Sequence, residues 1–559
     1  MKFDFSLMRQ PVFYQHEDKQ YQLIVWGNAW ERPQAPIIIT EPTVEACQKL
    51  NFDGGYLAYY FNRATGLQIV LRSHMDTFTQ FYVQKGDVCY FSDDFYALMP
   101  YLPDTLHWDK QALADYFENS WNNIVKYDRT PFEEIHRLDV WQYLCLRGGG
   151  QTSLASGCWR SLDDTVLYTI KNPDKFKQDF FATMDYYLQM IHDKYPSVAF
   201  SLSGGVDSNT LAAEYTRLFP GNSAQYVTSQ IDDVTDESTM ALNMQAAVAN
   251  PIECIPIRFG QRDILSSLEQ YLATHVPPRF SNLLSEYMYI DQLKETVGDS
   301  VNVSGMEADG LFGGFGGEYM YFAAECLAKH EWSRAKAAFT ANMISFAGVT
   351  DRHKIDKAFY HWALRKTVKS MLQPVLRRVR KTPVPYYSEQ AFLKVTLPER
   401  ESHKVKTHRQ ALAYQAFGDG ALHDTNVLYE AVGLHCVYPY GGYRFQELSA
   451  HCDPLIFSYG VNKSCLRQAI RGLVPDVIID NVVKRGQPGV TLKTIMQANH
   501  NTEKVIAYLQ QHEKNTLVRT EILSTHFTTG NFDNKDFCAL ALIVFEDMLK
   551  QRYQKNVTV

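Results

Sequence analysis

From Tyr21 onward, short apolar runs alternate with turn residues. The stretches YQLIVWG, GGYLAYYFN, LQIVLRS, TQFYVQKGDVCYFS and VWQYLCLRGGG are aromatic or β-branched and are broken by Gly, Asp and Asn, a pattern that predicts strands. Within the fourth, QKGDV predicts a hairpin turn. Residues 1–160 are therefore expected to form a sheet-rich, sandwich-like domain, with its boundary in the polar stretch around Gly149 to Asp164.

The period changes after about Asp174. KFKQDFFATMDYYLQMIHDKY carries Phe180, Met184, Tyr187, Met190 and Ile191 at helical spacing. The runs SVAFSLS, AQYVTSQ, IECIPI and VNVSG read as buried strands, with NTLAAEYTRLF and ESTMALNMQAAVAN as helices between them. Such alternation predicts a parallel, doubly wound α/β sheet with ligands at the carboxyl ends of its strands. This second domain spans 175–559, with a mainly helical insertion at about 326–434 that includes the basic stretch LRKTVKSMLQPVLRRVRK. No internal repeat interrupts the pattern.

Composition narrows the class. A chain of 559 residues, 45% hydrophobic and 21% charged, has enough apolar content for large packed cores and is not of the disordered type. Its net charge of −7 offers no general attraction for nucleic acid or an acidic membrane. No run of 18 apolar residues predicts a membrane span, and the opening MKFDFSLMRQ has no signal-peptide core. The ten cysteines contain no CxxC pair, so buried free thiols in a reducing cytoplasm are expected.

One loop carries chemistry. In FSLSGGVDSNT, Ser203, Gly204, Gly205 and Val206 bring backbone N–H groups toward an anion at a helix N-terminus. Asp207 would repel a bare phosphate, so its expected partner is a Mg²⁺ ion shared with phosphate oxygens. Ser208 adds a hydroxyl donor. The Gly-Lys-Ser/Thr ending of a Walker loop is missing. A Gly-Gly turn is common by itself, but the full Ser-Gly-Gly-x-Asp-Ser at a strand-to-helix junction predicts a loop that grips pyrophosphate and leaves AMP behind.

Together with two further blocks, this loop resembles the asparagine synthetase family of N-type ATP pyrophosphatases. VNVSGMEADGLFGG (Val301 to Gly314) is similar to the family's second motif. The resemblance implies that Asp309 is a second Mg²⁺-binding aspartate and that Gly305 belongs to the nucleotide-binding set. NKSCLRQAIRGLVPDVIIDNVVKRGQPGV (Asn462 to Val490) resembles the family's Lys-x-x-x-Arg … Leu-Pro … Lys segment. It implies that Lys484 is the catalytic lysine, a mobile point charge that stabilises the developing oxyanion. Glu237, on a helix resembling the family's Asp-Glu helix, is expected to be structural. The N-terminal region resembles the glutaminase-type half of the family. That half works through a cysteine at position 2, where this chain has Lys2, so a glutaminase fold without glutaminase activity is expected.

Two departures bear on the nucleophile. Met306 stands where asparagine- and β-lactam-forming members carry a polar residue, and Gly310 replaces an acidic one; neither can accept a proton. The helical insertion before HCVYPYGGYRFQEL could roof a bulky substrate. The closest resemblance is thus to lasso-peptide macrolactam cyclases of the microcin type, which implies ATP and Mg²⁺ as cofactors. It also implies a precursor peptide as substrate, with a leader-peptide-binding protein and a protease as partners. Glu307 is a candidate base. Tyr440, Tyr443, Tyr386 and Tyr387 are candidate pocket linings or ordinary packing, and the basic run from Arg365 to Lys381 is either a peptide grip or a solvated helix face. Two alternatives remain: a ligase for a small acid and an external amine, and a degenerate nucleotide-binding scaffold.

Overall fold

Strand alternation in the first third separates two apolar layers. The computed structural model of the chain describes residues 1–33, 36–75, 77–117, 129–147, 154–158, 168–231, 237–257, 263–273, 282–313, 317–345, 349–379, 392–398, 421–457, 463–481 and 488–558. The early strands are β1 (Lys2–Asp4), β2 (Val12–Glu17), β3 (Tyr21–Ala29), β4 (Gly54–Asn62), β5 (Gln68–Arg72), β6 (Phe81–Lys85), β7 (Val88–Ser92), β8 (Thr105–His107), β9 (Gln142–Leu146) and β10 (Leu154–Cys158). An antiparallel sheet runs β10-β9-β5-β4-β3-β2, and a smaller one runs β1-β7-β6. On β4, Leu57 joins Phe3, Cys89 and Phe91 in the layer shared with the small sheet, while Tyr56, Ala58 and Tyr60 face the main core. A period of two forces this division.

The expected QKGDV hairpin joins β6 to β7, with Lys85 opposite Val88. β10, paired with β9, lies in the polar stretch around Gly149 to Asp164 where the boundary is expected, and within the expected 1–160 span. Backbone pairing, which composition does not report, decides this edge.

The second sheet is wholly parallel: β11 (Val198–Leu202), β12 (Gln225–Ile231), β13 (Ile252–Ile257), β14 (Val301–Val303) and β15 (Cys436–Val437), in the order β13-β12-β11-β14-β15. The chain winds outward from β11 on one side and then returns to its other side. The crevice lies at that reversal, between β11 and β14. Helix Pro173–Lys194 buries Phe176, Phe180, Met184, Tyr187, Leu188 and Ile191 beneath it. ESTMALNMQAAVAN is shorter than expected: helix Glu237–Ala241 passes into a 3₁₀ turn, Leu242–Ala246. There the Asn243 amide donates to the carbonyls of Thr239 (3.0 Å) and Met240 (3.1 Å), competing with the α-helical ladder.

Helices Gly317–Ala328, Trp332–Ser345, Arg352–Val379 and Ala421–Ala431 lie between β14 and β15 in sequence. The first three build a core of their own around Phe322, Phe339 and Phe359. The other half of the chain is bound tightly to the N-terminal sheets. β16 (Asn556–Thr558) pairs in parallel with β8, and Phe545 packs 5.9 Å from both Phe95 and Phe132. Among the described residues no helix is long and apolar enough to cross a membrane, and nine cysteines are free thiols.

His435, just before β15, bonds through Nε2 with the Tyr195 hydroxyl at 2.9 Å. Burial, aided by the Lys194 charge, pushes its pKa down to about 4. The unfolded chain takes up this proton near pH 6.5, so the stabilisation is complete above that pH and is lost as pH falls toward 4. At pH 5 the loss is about 2 kcal/mol. Denaturant titrations from pH 7.5 to 4.5 should show His435→Gln with a flatter decline than the parent.

Candidate active site

The Ser203–Ser208 loop follows β11, and Gly205 is the N-cap of helix Val206–Leu218. The loop is shaped from inside. Ser208 accepts the Ser203 backbone N–H at 3.2 Å, and the Asn209 amide donates to the carbonyls of Ser203 (2.8 Å) and Gly205 (2.7 Å). Gly205 is exposed and Ser203, Gly204 and Asp207 are half-buried, whereas Val206 and Ser208 are buried. Ser208 thus braces the loop as an acceptor, and its hydroxyl keeps its own proton to donate.

Gly305, after β14, is where the two strand ends meet. A Cβ there would stand 2.6 Å from the Ser208 nitrogen and 2.9 Å from its Cα, distances that only backbone movement could relieve. Gly305 thus permits close approach of the two strand ends. Gly305→Ala should push the loop off its helix and lower the melting temperature, read by a thermal unfolding curve.

Asp309 lies on the short helix Ala308–Leu311, entered through Glu307 at φ +78°. A left-handed non-glycine costs on the order of 1–2 kcal/mol and is common at functional sites. Met306 is half-buried against the main core.

The residue that joins these loops is Lys463. It is 3% exposed and sits at φ +53° as N-cap of helix Ser464–Ala469. Its Nζ donates to Asp207 Oδ2 and, at 2.8 Å, pairs with Asp309 Oδ1. Burial works against the ammonium charge, but the two carboxylates outweigh it and hold the pKa above the usual lysine value. One turn on, buried Arg467 donates to the carbonyls of Ile479 and, at 3.1 Å, Asn481. Burial lowers its pKa, against the opposing pull of Asp207 and Asp309. Lys463 and Arg467 are the lysine and arginine of the third motif, to which no catalytic role was assigned. Their i, i+4 spacing on a helix was the available signal.

Pro439–Gly441 forms a 3₁₀ turn after β15. Tyr440 does not line a pocket: it is fully buried among Phe180, Phe312 and Phe445, and its hydroxyl donates to the Asp207 carbonyl at 3.3 Å. Tyr443 sits instead at the boundary with the N-terminal sheets, where its backbone N–H donates to Asp53 at 2.7 Å. Lys484, Tyr386, Tyr387 and Lys381 lie outside the described residues, as does the side chain of Glu237.

Two carboxylates, the partly exposed Ser203–Gly205 loop and two buried cations thus converge at the carboxyl ends of neighbouring parallel strands. Among the described residues no cluster of three or more His, Cys, Asp or Glu side chains forms. Asp207 and Asp309 supply two carboxylates, so a hard cation held there would take the rest of its shell from other oxygens. Residues 189–548 match the family model described as asparagine synthase. The chain belongs to the asparagine synthase family. No curated protein matches it. The asparagine synthase match contains Asp207, Asp309 and Lys463 together with all five strands of the parallel sheet, and leaves the N-terminal sheets outside it. Members of the family are ATP-dependent ligases.

Proposed function

We propose that this asparagine synthase family member is an AMP-forming amide-bond synthetase that closes a macrolactam on a precursor peptide. The observation that carries the reading is the convergence of Asp207 and Asp309 on one ammonium beside the partly exposed Ser203–Gly205 loop. Two acids aimed at one cationic point also fit Mg²⁺. They would hold the ion, which when bound neutralises charge on the departing pyrophosphate. The N–H groups at the helix N-terminus are placed to receive phosphate oxygens, with Lys463 and Arg467 supplying positive charge behind them.

In the proposed reaction an Asp or Glu side-chain carboxylate of the peptide attacks the α-phosphorus of ATP. Pyrophosphate leaves and an acyl-adenylate forms. The peptide's α-amine then attacks the acyl carbon, and AMP departs as the amine loses its proton. Lys484 is assigned to the charge developing on the acyl oxygen, and both reacting groups belong to one substrate, which favours ring closure by proximity.

Two features favour a peptide over a small acid. Helices Gly317–Ala328, Trp332–Ser345, Arg352–Val379 and Ala421–Ala431 are inserted between adjacent strands β14 and β15, the first three sharing a separate core. Met306, half-buried against the main core, gives position 306 no proton-accepting side chain. The two-sheet N-terminal region is proposed to be the glutaminase-like half acting as scaffold, with a leader-binding protein and a protease preparing the substrate.

The test supplies the protein with ATP, Mg²⁺ and candidate peptides and follows AMP, pyrophosphate and peptide mass. A peptide that loses one water as AMP forms supports the proposal. Asparagine made from ammonia replaces it with a small-acid ligase, and ATP binding without AMP formation replaces it with a scaffold.

A further inference from the structure

A buried polar cluster links the N-terminal sheets to the turn that supports Asp207. Asp53 is 4% exposed and sits at φ +53°. Its Oδ1 accepts from the backbone N–H groups of Gly54 (2.8 Å) and Tyr443 (2.7 Å), and its Oδ2 accepts from the Tyr187 hydroxyl (2.6 Å). His74, wholly buried, places Nε2 3.3 Å from Asp53 Oδ1 and 3.2 Å from the Gly441 carbonyl. A carbonyl cannot donate, so Nε2 carries a proton and donates to Gly441.

Burial alone would raise the Asp53 pKa. The bonds from His74, Tyr187 and Tyr443 reverse this and hold it below the usual range. A buried carboxylate with this many donors is strong and directional.

The position of this grip gives it reach. Gly441 and Tyr443 flank the end of the 3₁₀ turn whose middle residue, Tyr440, bonds to the Asp207 carbonyl. The turn fits closely on both sides: a Cβ on Gly442 would stand 2.1 Å from Tyr187 Cζ, and one on Gly441 2.9 Å from Met75 Cε. It begins directly after β15, so its start is set by the parallel sheet and its end by Asp53 and His74.

We propose that Asp53 and His74 are positioning residues for the ATP site, fixing Gly441 and Tyr443 so that Tyr440 holds Asp207 in place. This gives the N-terminal sheets a part in nucleotide binding without contacting the nucleotide. It rests on the reading of Asp207 as part of an ATP site.

The test measures Mn²⁺·ATP affinity, KM and kcat for ATP–pyrophosphate exchange, and melting temperature. The variants are His74→Ala, His74→Gln, Tyr440→Phe and the double His74→Ala/Tyr440→Phe. His74→Ala should weaken Mn²⁺·ATP binding about tenfold and raise KM in step, and His74→Gln, which keeps an amide donor near the Nε2 position, should recover most of it. The double variant should be no weaker than the worse single one, because both act through one turn. The proposal is overturned if His74→Ala melts earlier yet binds Mn²⁺·ATP as the parent does, or if the two losses multiply. If His74→Ala does not fold, Asp53→Asn takes its place with the same expected and overturning results. A parent protein that fails to bind Mn²⁺·ATP overturns the ATP-site reading itself, an outcome distinct from normal binding by both parent and His74→Ala.

Discussion

Asp207→Asn should abolish ATP–pyrophosphate exchange, lowering it by at least about 10³-fold, while the protein stays folded. The amide keeps the shape of the side chain and removes its charge. Lys463 then retains Asp309 at 2.8 Å, so its ammonium is not left without a counter-ion. A stability loss of only about 1–2 kcal/mol is expected from denaturant unfolding. Exchange assays with and without added peptide check the prediction. Exchange within tenfold of the parent would remove Asp207 from the chemistry and, with it, the assignment of the Ser203–Ser208 loop.

Lys463→Met should instead damage the fold. The lysine is 3% exposed and bonded to two acids, and its loss leaves two carboxylates facing each other without their shared cation. Removing one partner from a buried ionic group costs roughly 3–5 kcal/mol. Asp207 and Asp309 retain 20% and 26% side-chain exposure, so about 2–3 kcal/mol is the better expectation. The lysine pKa is raised, so its stabilisation is fully present below the ordinary lysine value and is lost only as pH rises through the raised one. The deficit should therefore be constant between pH 6 and 9. Millimolar Mg²⁺ should restore more stability to Lys463→Met than to the parent, because the ion replaces a missing positive charge in one and competes with a present one in the other. Equal responses to Mg²⁺ would show that the two carboxylates do not form the cation site.

Much of the framework was legible because its signals are local. Tyr56, Leu57, Ala58 and Tyr60 alternate between two layers as strand geometry requires. SVAFSLS ends where a helix N-terminus begins, and the Gly-Gly between them needs no distant partner to be read as an anion-facing turn. Where local reading fell short, distant groups intervened. The boundary stretch around Gly149 to Asp164 contains β10, whose pairing with β9 only the assembled sheet reveals. Ser208 read as a hydroxyl donor, and the fold adds that its oxygen accepts the Ser203 backbone N–H. Tyr440 read as either a pocket lining or ordinary packing, and three phenylalanines and the Asp207 carbonyl decide for packing.

Lys463 marks the limit most clearly. A lysine before a helix is usually a solvated residue, and it lies far from Asp207 and Asp309 in sequence. Only after β11 and β14 pair in parallel do their carboxyl ends bring both acids to it.

By itself, the sequence determined the two runs of strands, the Ser-Gly-Gly turn between strand and helix and the pair of acids, because periodicity, glycine and charge act over a few residues. The tertiary structure alone decided which cation those acids share, why residue 305 must be glycine, and how Asp53 and His74 reach the turn beside Asp207. Each of those depends on contacts between segments far apart in the sequence, which no local pattern records.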